Sequence, residues 1–200
     1  MIYPSFKSFA KNQQKFLKLI LSVSFNRTHM KIGFLGGTSL SNTLGKKYLE
    51  AGLEVVFGVS SDFDTEAPEW KLLNRLNHRI CPYESAIIQS EIILICAETT
   101  SLAEIIKVLN TTETDDKIII DCTHSDISQL PNSVLIRSAA PKAHHFRAFN
   151  NFGVDYPKMG IFRRLEETKV YGEAIPQKLR VRRLVELIGY KAIDADQITI

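Results

Sequence analysis

Lys31-Ile32-Gly33-Phe34-Leu35-Gly36-Gly37-Thr38-Ser39-Leu40-Ser41-Asn42-Thr43-Leu44-Gly45 is the stretch that decides the fold. An apolar run meets a pair of glycines. Leu40, Leu44 and Tyr48 then recur every fourth residue, the spacing of a helix face. Ala51-Gly52-Leu53 ends that helix, and Glu54-Val55-Val56-Phe57-Gly58 reads as a second strand. Strand, glycine turn, helix and strand within about 30 residues is the βαβ pattern that binds dinucleotides. Such a turn offers unpaired backbone N–H groups and the positive end of a helix dipole to a phosphate.

The glycine fingerprint is incomplete. Counted back from the second strand, Gly36 holds the first glycine place and Thr38 and Ser41 the other two. Counted forward from the first strand, Gly37 is first and Ser39 and Asn42 follow. Either way two of three glycines are replaced by small polar residues. These can still hydrogen-bond a diphosphate, but each carries a Cβ that limits close backbone approach. The competing reading of this stretch is a βαβ turn that binds nothing.

Working outward, five apolar runs alternate with helical segments. Lys31–Leu35, Glu54–Gly58, Glu91–Cys96, Lys117–Asp121 and His145–Phe149 read as strands buried on both faces. Val134–Arg137 reads as a further extended piece, and Tyr190–Ala195 as a last strand. Ser41–Glu50, Pro68–Asn77, Pro82–Gln89, Ser101–Leu109 and Ile175–Ile188 read as helices, with Pro68 and Pro82 suited to first turns. The expectation is an α/β fold: a Rossmann-type, doubly wound, mainly parallel sheet in a single domain spanning 30–200. Residues 1–29 are basic and carry no acid; they read as a disordered N-terminal extension.

With 25 basic and 22 acidic residues the net charge is only +3, which does not argue for a nucleic-acid partner. No apolar run approaches the roughly 20 residues of a transmembrane span. Cys81, Cys96 and Cys122 read as reduced core thiols of a cytoplasmic protein. Neither Asp121-Cys122-Thr123-His124 nor His144-His145 has the company of a metal or nucleophile site, so both read as structural.

In a doubly wound sheet, ligands sit beyond the carboxyl ends of the strands. That singles out Gly36–Ser41, Gly58–Asp62, Ala97–Ser101 and Ala148–Gly153.

With those pieces placed, the chain from Lys31 to about Ile198 resembles the NADP oxidoreductases dependent on deazaflavin coenzyme F-420. It is also similar to the cytosolic domain of six-transmembrane metalloreductases. The matching residues are Lys31–Gly37, Gly52–Gly58, Arg147-Ala148-Phe149-Asn150-Asn151, Tyr171-Gly172-Glu173 and Leu187–Ala195. The resemblance implies NADP(H) as cofactor, with NAD(H) the alternative, and a flavin, deazaflavin or other small redox acceptor as second substrate. It places Gly36, Gly37, Thr38, Ser39 and Leu40 at the diphosphate; Val59-Ser60 stands where the family has Ser-Arg for the 2′-phosphate, and Ser60 and Ser61 could hydrogen-bond a phosphate there without the arginine's charge. Ala97, Glu98 and Ala148 fall beside the nicotinamide, and Phe149 and Asn150 toward the second substrate, Asn150 being the catalytic candidate. Phe149 reads equally well as core. Asp62 is an acid that could accept from a free ribose 2′-OH, although it lies late for that role. Small domains of this kind suggest a homodimer across the C-terminal helix. Hydride transfer between two rings needs no mandatory side-chain acid, so an enzyme fits. A nucleotide-binding regulatory protein with an eroded loop stands as the alternative.

Overall fold

The computed structural model describes residues 30–75, 79–124, 131–154, 156, 167–173 and 175–195. Residues 1–29, expected to be an extension, lie outside the described residues.

The strands are β1 (Lys31–Leu35), β2 (Glu54–Val59), β3 (Ile80–Pro82), β4 (Ile92–Ile95), β5 (Ile118–Asp121), β6 (His144–Arg147), β7 (Glu167–Tyr171) and β8 (Lys191–Ala195). The helices are α1 (Ser39–Glu50), α2 (Pro68–Arg75), α3 (Tyr83–Gln89), α4 (Thr99–Thr111), α5 (Asn132–Ala139) and α6 (Ile175–Leu187). The strands form one sheet in the order β3-β2-β1-β4-β5-β6-β7-β8. All neighbours pair parallel except β6 and β7. The order reverses between β1 and β4, which is the switch point of a doubly wound sheet.

Strand periodicity sorts the apolar residues to two faces. Ile32, Phe34, Ile92, Leu94, Ile118 and Ile120 pack under α1, α2 and α6. Leu35, Ile93, Ile95 and Ile119 pack under α3, α4 and α5. Both faces are covered, which is why these strands are apolar throughout. On the first face a run of aromatic contacts links β1 to α2. Phe34 stacks on Phe57 at 5.5 Å, and Trp70 stands edge-on to Phe57 at 5.1 Å and to Phe63 at 5.2 Å.

Two expectations are corrected. Val134–Arg137 is not extended: it lies inside α5, where Pro131 starts the helix and Ile136 and Ala139 turn to the core. Its β-branched residues suggested a strand, but burial of one helical face decided the outcome. The strand expected at His145–Phe149 runs His144–Arg147 and stops there. Phe149 takes a positive φ of 60°, and its amide donates to the buried Thr168 hydroxyl at 2.6 Å. Two strands were also missed. β3 is only three residues long. β7 carried a period-two signal, with Thr168 and Val170 buried between the exposed Glu167 and Lys169.

Candidate functional site

A cleft of about 340 Å³ opens over the carboxyl ends of β1, β2 and β4, lined by Gly37, Thr38, Ser39, Ser60, Phe63, Tyr83, Glu98, Ser101 and Val154. That volume lies in the lower part of the range of small-molecule sites, about 300–1,000 Å³.

Its floor is the loop from β1 into α1. Gly36 has φ +113°, and a Cβ there would lie 2.3 Å from the Cys96 carbonyl oxygen. The loop therefore crosses the start of the β4–α4 connection with no room for a side chain. Gly37 has Phe63 against it, and a Cβ would meet that ring at 2.0 Å. Phe63 thus walls one side of the cleft.

Thr38 and Ser41, the two lost glycine places when counted back from the second strand, have a joint role in the structure. Thr38 caps α1: its Oγ1 accepts from the Ser41 amide at 3.2 Å and donates to the Cys96 carbonyl at 3.0 Å. The Thr38 amide donates to Ser41 Oγ at 3.0 Å. Ser41 is fully buried, with its hydroxyl 2.7 Å from both the Gly36 and Thr38 carbonyls. This is a capping box with serine at the third position. The box joins the pair that the count back from the second strand picks out. Asn42, the rival, turns away and donates to the Glu69 carbonyl at 2.9 Å.

The box and its neighbours decide which donors remain. The Leu40 amide is taken by the Val154 carbonyl at 3.0 Å. The amides of Gly37 and Ser39 have no partner among the described residues. They sit at the start of a twelve-residue helix with no acid in its first turn. That is an anion-accepting arrangement.

At the other end of the cleft, Ser60 follows β2, Tyr83 opens α3 and Ser101 lies in the first turn of α4. Tyr83 is 4% exposed and its phenol is pushed up to about 12. Burial is the main cause; the Glu104 and Asp62 carboxylates add to it, and the Ser60 and Ser101 hydroxyls oppose it. It is a permanent donor at neutral pH. Asp62, fully exposed, is held below the usual carboxylate value chiefly by the Ser60 hydroxyl. Glu98 is the N-cap residue of α4, but its exposed side chain makes no capping bond.

The structure thus brings Gly37, Thr38, Ser39, Ser60 and Glu98 together around one cleft. Gly36 shapes it from beneath. Leu40 is fully buried in the core and offers only its backbone, and Ser61 is exposed outside the lining. Ala97 and Ala148 are buried at the ends of β4 and β6. Phe149 is fully buried and packs on Phe152 and Tyr190 at 5.8 and 5.7 Å, so its ring belongs to the core and does not face the cleft. Asn150 is half-buried, and its side chain has no partner among the described residues. Ser101 ends the singled-out stretch Ala97–Ser101, whereas Phe63, Tyr83 and Val154 were not anticipated.

A second polar group lies at the carboxyl ends of β5 and β6. Asp121, 2% exposed, accepts from the Thr123 amide and hydroxyl at 2.8 and 2.6 Å. Its other oxygen is 3.8 Å from Arg147 Nε. Burial pushes its carboxyl up, against the Thr123 donors and Arg147. Asn132 donates to the Thr123 hydroxyl at 3.0 Å, and His124 Nδ1 lies 3.5 Å from the Asn150 carbonyl.

The histidine pair divides as a strand requires. His145 Nε2 donates to the Ala140 carbonyl at 2.7 Å, while His144 meets Gln177 at 3.2 Å. Among the described residues no cluster could hold a metal ion, all three cysteines are free thiols and no helix is long and apolar enough to cross a membrane.

Comparisons with known proteins add to this geometry. Residues 31–125 match the family described as NADP oxidoreductase coenzyme F420-dependent. No curated protein matches the sequence. Among solved structures, a presumed F420-dependent NADP-reductase of Arthrobacter sp. FB24 is similar at 20% identity and TM-score 0.66, covering 85% of this chain and 86% of that one. The hypothetical protein SMa0349 of Sinorhizobium meliloti matches at 13% identity and TM-score 0.65, covering 86% and 87%. A pyrroline-5-carboxylate reductase of Coxiella burnetii matches at 9% identity and TM-score 0.59, covering 84% of this chain and 60% of the larger enzyme. At these identities the structures establish the shared Rossmann-type fold. The family model that matches from β1 past the end of β5, residues 31–125, is that of the coenzyme F420-dependent NADP oxidoreductases, which the sequence itself resembles.

Proposed function

We propose that the chain is an oxidoreductase that binds a nicotinamide dinucleotide across this cleft and passes hydride between it and a small redox acceptor of the flavin or deazaflavin type. The observation that carries the reading is the pair of open amides, Gly37 and Ser39, at the start of α1 beside the switch point. Those amides and the Thr38 cap would hold the diphosphate. Ser60, Tyr83 and Ser101 would take the adenosine ribose end. Ala97, Ala148 and Asn150, at the ends of β4 and β6, would border the nicotinamide and its acceptor.

The bound dinucleotide supplies the hydride chemistry. The chain's own task is to orient two partners and keep water from between them. Asn150 is the side chain best placed to contact the acceptor, since it is partly exposed and its amide is unspent.

One observation favours the alternative of a nucleotide-binding regulatory protein. The Leu40 amide, which a diphosphate could use, is already taken by the Val154 carbonyl. Calorimetry with pyridine nucleotides and steady-state oxidation of the reduced forms with FMN, FAD and a deazaflavin acceptor separate the two readings. Binding with turnover is expected. Binding without turnover on any acceptor assigns the regulatory role, and no heat at all removes both.

A further inference from the structure

The cleft's charge bears on which dinucleotide it takes. In open α/β sheets the adenosine ribose lies near the end of the second strand. An acid there accepts from a free 2′-OH, and an arginine there accommodates a 2′-phosphate. Here the end of β2 places Ser60 in the cleft and Asp62 beside it.

Among the described lining residues the single charge is Glu98, and none is basic. Asp62 and Glu104 both stand close enough to the Tyr83 phenol to act on it electrostatically. Three basic side chains on the surrounding elements are engaged elsewhere. Arg79 donates to the Val55 carbonyl at 3.2 Å, Lys71 pairs with Glu66 at 3.5 Å, and Lys46 reaches the Glu69 carbonyl at 3.5 Å. A 2′-phosphate would bring about −1.5 to −2 charges into this acidic setting. A ribose diol would instead offer two O–H donors to acceptor-only carboxylates.

We propose that this cleft selects NAD(H) over NADP(H), with Asp62 accepting from the ribose diol and the hydroxyls of Ser60, Tyr83 and Ser101 completing the subsite, a preference that presupposes dinucleotide binding here. The matched family is one of NADP oxidoreductases, so the preference belongs to this chain. The diphosphate grip is common to both nucleotides, and NADP(H) binds by it more weakly.

The test is calorimetric titration of the full chain with NADH and with NADPH at physiological ionic strength, about 0.15 M. NADH is expected to bind at least about tenfold more tightly. Equal or tighter binding of NADPH overturns the preference and leaves dinucleotide binding standing. Heat from neither nucleotide overturns the dinucleotide reading itself. Ser60→Arg should tighten NADPH by about tenfold, and Asp62→Asn, an exposed change that spares the fold, should weaken NADH and narrow the ratio. An unchanged ratio in Asp62→Asn overturns the assigned role of that carboxylate.

Discussion

Thr38 holds the loop in its working shape. Its hydroxyl satisfies the Ser41 amide and ties the loop to the Cys96 carbonyl. Thr38→Ala removes both bonds, and loss of an N-cap side chain costs about 1 kcal/mol, within about 0.5–2. Urea unfolding should show that loss, together with weaker dinucleotide binding; an unchanged midpoint contradicts the capping role. Asp121 yields a prediction about pH. Burial raises its carboxyl in the native state, so the folded chain holds that proton more tightly than the unfolded one. Its stabilising contribution is complete below the ordinary carboxylate value, about 4, and is lost as pH rises through the elevated native value. Urea midpoints measured upward from about pH 4 should fall more steeply for the wild type than for Asp121→Asn. Parallel profiles would remove that assignment. At this scale the sequence was legible where spacing alone decides. Counting back from the second strand picks out Thr38 and Ser41 as a pair, and the capping box joins those two residues. Phe63 and Tyr83 were illegible, because each reaches the cleft only through packing between elements distant in sequence.

Elements with continuous apolar runs were readable because both sheet faces are covered, and β1, β2, β4 and β5 lie where those runs fall. Elements whose character comes from their neighbours were not. α5 has strand-like residues but one buried helical face, and β3 is an edge pairing of three residues. The reversal between β6 and β7 is tied by contacts that no local pattern announces, among them the Asn151 side-chain amide on the Glu167 carbonyl and the Phe149 amide on the Thr168 hydroxyl. Thr168 is 1% exposed, so Thr168→Val keeps the shape and orphans that amide. A buried unsatisfied donor costs about 1–3 kcal/mol. The expected result is a lower urea midpoint with faster hydrogen exchange at Phe149; unaltered exchange there would refute the account.

For the molecule as a whole, a ligand that binds only the folded chain must raise its melting temperature. At a hundred times Kd the gain is about 2.7 kcal/mol. At about 2–4 °C per kcal/mol for a chain of this size, that is roughly 5–10 °C. Differential scanning fluorimetry with saturating NADH should show that rise, and a flat response would count against the cleft as a nucleotide site.

The antiparallel junction of β6 and β7 turns the closing β7–α6–β8 unit end for end relative to the rest of the sheet. Ala195, the last described residue, is in register with Tyr171 and through it with Arg147, so it stands level with the carboxyl end of β6. Glu167 and Lys191, which open those two strands, therefore rise above that edge of the parallel strands like a parapet.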